Sequence, residues 1–204
     1  MYLYLIRHGQ SEANKQNIIQ GQRNYPLSEV GKHQAKLLAQ FMKKVKLDAL
    51  YSSDLARALE TAKQIEKTIK IPVQPSPLFR EIKLGPFEGK TKEEIYAKYP
   101  QVKERTLLTS GVKGTETVEE ITARLEKIIA KMKELGEEER VAVVTHGGVI
   151  SLLLMYLLLG KDWHRYHRPF RIENTGITLI QLSKHNKPLI HYVNQTTHLA
   201  KESP

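Results

Sequence analysis

Val141-Ala142-Val143-Val144-Thr145-His146-Gly147-Gly148 decides how this chain is read. An apolar run without polar alternation suits a strand covered on both faces, which is the habit of parallel sheets. The run then stops in a histidine and two glycines. In open α/β sheets, ligands bind just beyond the carboxyl ends of the strands, so His146 stands where chemistry is expected. The chain begins the same way: residues 1–6 read as a short apolar strand that runs into Arg7-His8-Gly9. A further strand is expected at 48–51, leading into a helix whose first turn carries Arg57. His8, His146, Arg7 and Arg57 can therefore meet at one edge of the sheet. The glycines after each histidine let backbone N–H groups approach an oxyanion closely.

The remaining pattern alternates between strand and helix. Ser28 opens a helix with Val30, Leu37, Leu38, Phe41 and Val45 expected on one face. Ser53 or Asp54 is expected to cap the next helix, which runs to about Ile69. Pro72, Pro75 and Pro77 mark an extended connection to a strand-like segment at 78–81. Thr91 with Glu94, and Thr117 with Glu120, are capping-box patterns. The helix after Thr117 carries a stripe of Val118, Ile121, Leu125, Ile128, Ile129, Met132 and Leu135. A buried helix follows from Val149, then strands near 177–182 and 189–193. With no repeat or linker in sight, one α/β domain over residues 1–204 is expected. Its architecture is read as a three-layer α/β/α sandwich with a mostly parallel central sheet.

Composition narrows the function. A chain of 204 residues, 40% hydrophobic and 26% charged, is ordinary for a globular enzyme. It has no cysteine, which excludes disulfides, thiolate metal sites and every cysteine-based phosphatase mechanism. The N-terminus has no basic leader or small-residue cleavage site and does not read as a signal peptide. The longest apolar run, 149–159, falls short of the ~18 residues that span a bilayer. A cytoplasmic protein without membrane contact is expected. The net charge of +10 attracts anions. Because lysine alternates with glutamate over 127–139, a solvated mixed-charge surface is the expectation rather than a nucleic-acid patch. The partner read from the site is a small phosphorylated metabolite.

The residues at the strand ends suit phosphoryl transfer. Arginine forks neutralise phosphoryl oxygens, and an imidazole attacks phosphorus in line. Cationic neighbours should lower the pKa of His8 and keep it nucleophilic near pH 7. On the residues alone, either histidine serves equally well as nucleophile. Glu81, at the end of the 78–81 segment, can protonate the leaving alkoxide. No metal or other cofactor is expected.

The chain resembles the histidine phosphatase superfamily, which holds the cofactor-dependent phosphoglycerate mutases and related phosphatases. The resemblance runs through Arg7-His8-Gly9-Gln10-Ser11-Glu12-Ala13-Asn14, Gln20-Gly21 and Pro26-Leu27-Ser28, with Gly31 following. It continues through Ser52-Ser53-Asp54-Leu55-Ala56-Arg57-Ala58, Thr61-Ala62, Arg80-Glu81-Ile82, Gly85 and Glu88-Gly89. Thr145-His146-Gly147-Gly148, Asn174-Thr175, Asn194 and His198-Leu199 complete it. The resemblance implies that His8 is the phosphorylated nucleophile and Glu81 the proton donor and later base. It implies that Arg7, Arg57 and His146 hold the phosphoryl group, assisted by Asn14, Gln20, Gly21 and the Gly147 amide.

Some features invite other readings. Gly85-Pro86-Phe87-Glu88-Gly89-Lys90-Thr91 resembles a nucleotide-binding loop but has one residue too few between its glycines. Trp163-His164-Arg165-Tyr166-His167-Arg168 mixes aromatic and basic residues; a loop near the site mouth, or a subunit contact in a homodimer, is expected there. His33, His185 and His191 are read as surface or packing residues, and Arg80 beside Glu81 as an ion pair. Within the family, the phosphatase reading competes with the mutase. Mutases generally place an arginine directly after the acid and carry a longer, arginine-bearing insertion. Here Ile82 follows Glu81, and the corresponding stretch, 100–114, offers only Lys103, Arg105 and Lys113.

Overall fold

The computed structural model describes residues 1–103 and 106–200. In chain order the regular elements are β1 (Tyr2–Arg7), α1 (Glu12–Lys15), α2 (Glu29–Met42), β2 (Ala49–Ser52), α3 (Ala56–Ile69) and β3 (Val73–Pro75). They continue with α4 (Lys92–Lys98), α5 (Val118–Lys133), β4 (Arg140–Thr145), α6 (Gly147–Leu159), β5 (Ile177–Gln181) and β6 (Leu189–Gln195). The strands form one six-stranded sheet in the order β3-β2-β4-β1-β5-β6. The first four of that order run parallel, while β5 and β6 form the antiparallel edge.

β4 is central, and its neighbours explain its composition. Val141 and Val143 pack into the core shared with α5 and α6, whereas Ala142 and Val144 pack into the core beneath α2 and α3. β1 alternates in the same way, with Leu3 and Leu5 on one side and Tyr4 and Ile6 on the other. Both faces are covered, so neither strand needs a polar position. Arg7 pairs with Thr145 in the register, which brings the carboxyl ends of β1 and β4 level and puts His8 beside His146. α6 is buried along most of its length and apolar all round, as expected of a helix enclosed by the core. No helix among the described residues is long and apolar enough to cross a membrane.

Local readings hold or fail for identifiable reasons. Ser28 caps α2 through a bond from Gly31 N–H, and Thr91 and Thr117 both close complete capping boxes. The face of α2 differs from expectation: Val30 is 54% exposed, and the buried positions are Gly31, Ala35, Leu38, Ala39 and Met42. α2 packs on α3, which presents Ala58, Thr61 and Ala62, so small residues let the two helices approach. Neither Ser53 nor Asp54 caps α3. Leu55 occupies the cap position without a side-chain bond, because Ser53 serves His146 and Asp54 pairs with Arg80. Arg80 is thus an ion-pair residue, but with Asp54 and not with Glu81. The 78–81 segment is not a strand: a 3₁₀ turn, Pro77–Phe79, leads into irregular backbone at Glu81. α6 begins two residues before Val149, with His146 as its N-cap residue.

Candidate active site

His8 leaves the end of β1 and lies 3% exposed, with its ring fixed from both sides. Nδ1 is 2.6 Å from the Gly9 carbonyl oxygen, and Nε2 is 3.2 Å from Arg57 Nε. A carbonyl can only accept, so the short contact assigns the proton to Nδ1 and leaves the Nε2 lone pair as the nucleophilic one. Burial holds the His8 pKa well below its usual value, and the charges of Arg57 and then Arg7 push it the same way. The cations expected from the sequence are therefore the second cause and not the first.

Arg57, the second residue of α3, is only 1% exposed. Its Nη1 and Nη2 donate to the carbonyls of Arg23 and Gly21, each at 2.8 Å, which aims Nε at His8. Burial lowers its pKa to about 10, so it remains a cation at neutral pH. Arg7 donates from Nη1 to the Ile172 carbonyl at 2.6 Å, while its buried Nε has no partner among the described residues. His146 stands edge-on to His8, with ring centroids 5.1 Å apart. Its Nε2 is 2.9 Å from Ser53 Oγ, and its buried Nδ1 also lacks a described partner. Burial first, then Arg57 and His8, keep its pKa well below 6.5. With Ser53 Oγ donating to Nε2, the ring proton of His146 sits on Nδ1, so Arg7 Nε and His146 Nδ1 are two buried donors without a described partner and suit an anion.

Glu81 lines the same cavity as His8, Arg7 and Arg57. Its Oε1 accepts from Ile82 N–H at 2.9 Å and its Oε2 from Gly148 N–H at 3.1 Å. A side chain at residue 148 would strike the carboxylate, so the second glycine after His146 makes room for Glu81. Of the glycine amides expected near the oxyanion, that of Gly148 is thus committed to Glu81. That of Gly9 donates to Thr61 Oγ1 at 3.0 Å, and Gly9 itself is required by the close backbone of Gly31. Gly147 remains: as the first residue of α6 its N–H has no acceptor within the helix, and it lines the cavity. Asn14 and Gln20 line it too, Gln20 accepting from Ser11 Oγ at 2.8 Å. Gly21 lines it with φ +49°, and Glu88 fills the space where a side chain would go.

Other residues support the site: Thr145, Asn174, Thr175 and His198 belong to segments that carry the resemblance, whereas Gln22, Arg124 and Glu116 had no signal in the sequence. The 172–176 loop clamps the end of β1: Thr175 N–H donates to the carbonyls of Arg7 and His8, and Asn174 Nδ2 to that of His8. His198 braces the loop, its Nε2 lying 3.0 Å from Thr175 Oγ1. Thr145 Oγ1 donates to the Phe79 carbonyl at 2.7 Å, and Arg124 reaches the Arg80 carbonyl while pairing with Glu116. Gln22 Nε2 donates to the Glu81 carbonyl at 3.0 Å. Ile82 is 1% exposed with its side chain in the core, and only its backbone N–H, donated to Glu81, serves the site. The glycine-rich stretch 85–91 is no phosphate cradle, since Glu88 Oε1 accepts from the Gln22 and Leu84 amides. Trp163 is 2% exposed and bonds Thr122, which makes it a core residue. The described residues contain no group of three or more histidines or carboxylates placed to hold a metal ion.

The cavity around these groups measures about 560 Å³, enough for a small metabolite. From 100–114 it is lined by Thr106, Leu107 and Leu108; Lys103 faces a neighbouring cavity, and Arg105 lies outside the described residues.

A cationic, histidine-bearing site at the carboxyl ends of a mostly parallel sheet marks an α/β protein whose site suits an anion. The chain belongs to the histidine phosphatase superfamily (branch 1), whose family model matches residues 3–196. It is 31% identical to a probable phosphatase of Schizosaccharomyces pombe, over 99% of this chain and 97% of that protein. It is 29% identical to the probable phosphoglycerate mutase GpmB of Photorhabdus laumondii, over 88% of this chain and 84% of that protein. Among solved structures, it matches a mutant phosphoserine phosphatase of Entamoeba histolytica in complex with phosphoserine. That match has a TM-score of 0.79 and 29% identity, covering 98% of this chain and 99% of the other.

Proposed function

We propose that the protein hydrolyses small phosphomonoesters through a phosphohistidine formed at His8, with the mutase as the less supported alternative. The observation that carries this is the pair of buried nitrogens without a described partner, Arg7 Nε and His146 Nδ1, set beside the Nε2 lone pair of His8, which accepts from Arg57 Nε. A phosphoryl group would satisfy both donors while presenting phosphorus to the nucleophile. The phosphatase names of the fission-yeast and Entamoeba relatives support the hydrolytic outcome.

In the first step His8 Nε2 forms a bond to phosphorus as the bond to the ester oxygen breaks. Arg57 and Arg7 meet the phosphoryl oxygens with charge, and His146, the Gly147 amide, Asn14 and Gln20 supply further donors. Glu81 gives a proton to the departing alkoxide. In the second step Glu81 takes a proton from water, the water oxygen bonds phosphorus, and the bond to His8 Nε2 breaks. Inorganic phosphate leaves and the imidazole is restored.

Rapid mixing with labelled nitrophenyl phosphate tests the assignment. The expected product is an acid-labile, base-stable label at His8 that is lost in His8→Ala. Undiminished labelling in that variant would overturn it.

A further inference from the structure

Once the phosphoryl group is assigned to Arg7 and Arg57, the wall of the cavity still holds an uncommitted cation. Arg171 is paired with Glu173 at 2.7 Å, and Lys92 is exposed at the start of α4. Arg168 is different. It is half-buried, lines the catalytic cavity, and its guanidinium makes no hydrogen bond or ion pair with any described residue. Burial lowers its pKa and Glu81 is the charge that opposes the shift, so Arg168 stands within electrostatic reach of the proton donor. Arg168 also borders a second cavity that none of Arg7, His8, Arg57 and His146 lines, which sets one side of it away from the phosphoryl donors, where the alcohol half of the ester would lie. Glu81 is the only acid among the described residues lining the cavity, and its oxygens are held by backbone amides. A partly desolvated guanidinium with free donors is a receptor for an anion. Beside it, Thr106 and Arg168 also line a second cavity of about 660 Å³ walled by Leu152, Met155 and Tyr166, which leaves room for a larger alcohol.

We propose that Arg168 binds a second anionic group, a carboxylate or a further phosphate, on the leaving alcohol, so that the preferred substrates are esters whose alcohol is itself an anion. The inference rests on the hydrolytic reading above and names the substrate class for that site. It assigns Arg168 a specificity role that is separable from any influence on Glu81. A residue that only tuned Glu81 would change the turnover of all poor-leaving-group esters alike.

The test compares substrates that differ in the second anion. 3-Phosphoglycerate against glycerol 3-phosphate exchanges a carboxylate for a hydroxymethyl group. Fructose 1,6-bisphosphate against fructose 6-phosphate adds a phosphate. The wild-type protein should favour the anionic member of at least one pair in kcat/KM by about 10-fold or more, the worth of a charged hydrogen bond. Arg168→Gln should remove most of that preference through KM, and Arg168→Lys should keep part of it. If Arg168→Gln does not fold, the Lys variant is read alone, and a preference lost entirely there with charge retained counts against the proposal. Equal losses on both members of each pair, or no preference in the wild type, would overturn it. His8 labelling by nitrophenyl phosphate keeps the two readings apart: label without anion preference sinks only this inference, whereas no label sinks the hydrolytic reading beneath it.

Discussion

Glu81 is positioned by backbone amides, those of Ile82 and Gly148, and the role proposed for it makes a specific demand. A proton donor matters in proportion to the basicity of the group that leaves. Glu81→Gln keeps the size and hydrogen-bonding shape but has no proton to give as an acid. The expected loss is on the order of 10²-fold in kcat with an alkyl phosphate and far less with nitrophenyl phosphate, whose phenolate departs unaided. Equal losses on the two esters would mean that Glu81 only positions the ligand. At this scale the sequence is most legible where a residue sits at a strand end. His8, Arg7 and His146 fall there, and Arg57 follows within two residues of a helix start. The choice between the histidines needed the resemblance, and the fixed ring of His8 is what now supports it.

Among the elements, β4 and β1 are legible because burial on both faces leaves its mark on every residue of a strand. The capping boxes at Thr91 and Thr117 are equally local, since both partners lie within one turn. The failures are long-range. Of the face expected for α2, Leu38 is buried and Phe41 and Val45 pack beside it, but Gly31, Ala35 and Ala39 share that face because α3 lies close, and small residues carry no hydrophobic signal that records such a neighbour. The prolines at 72, 75 and 77 suggest an extended, strand-like segment up to Glu81, yet the chain there is a 3₁₀ turn and irregular backbone. It is held by tethers from elsewhere, Thr145 to Phe79, Arg124 to Arg80 and Gln22 to Glu81. Ser53 and Asp54 were read as local caps although each is claimed by a residue far along the chain. Arg168 carried no signal at all beyond its place in a basic, aromatic loop.

For the whole molecule, the buried histidines couple stability to pH. His8, His146 and His198 all have folded pKa values lowered chiefly by burial. Above about pH 6.5 both folded and unfolded chains hold these rings neutral, and nothing is lost. As pH falls below that value, the unfolded chain takes up protons that the folded chain refuses, so stability declines. The urea midpoint should therefore be lower at about pH 5.5 than at about pH 7.5, and His146→Asn should flatten the difference. A midpoint that rises on acidification would contradict the assignment. The reaction itself is also a property of the whole cavity. A mutase must keep its phosphoenzyme from water until a second hydroxyl arrives. Anion binding by Arg168 would help hold a phosphoglycerate but would not exclude water. The described residues of 100–114 that line the site are Thr106, Leu107 and Leu108, and buried Ile82 follows the acid, so among the described residues neither place supplies a cationic seal. The deciding measurement is phosphate release from 3-phosphoglycerate run beside a coupled mutase assay primed with the bisphosphate, on one preparation. Phosphate release should exceed interconversion; mutase turnover far above phosphate release would contradict the account, though His8 and Glu81 would keep their roles.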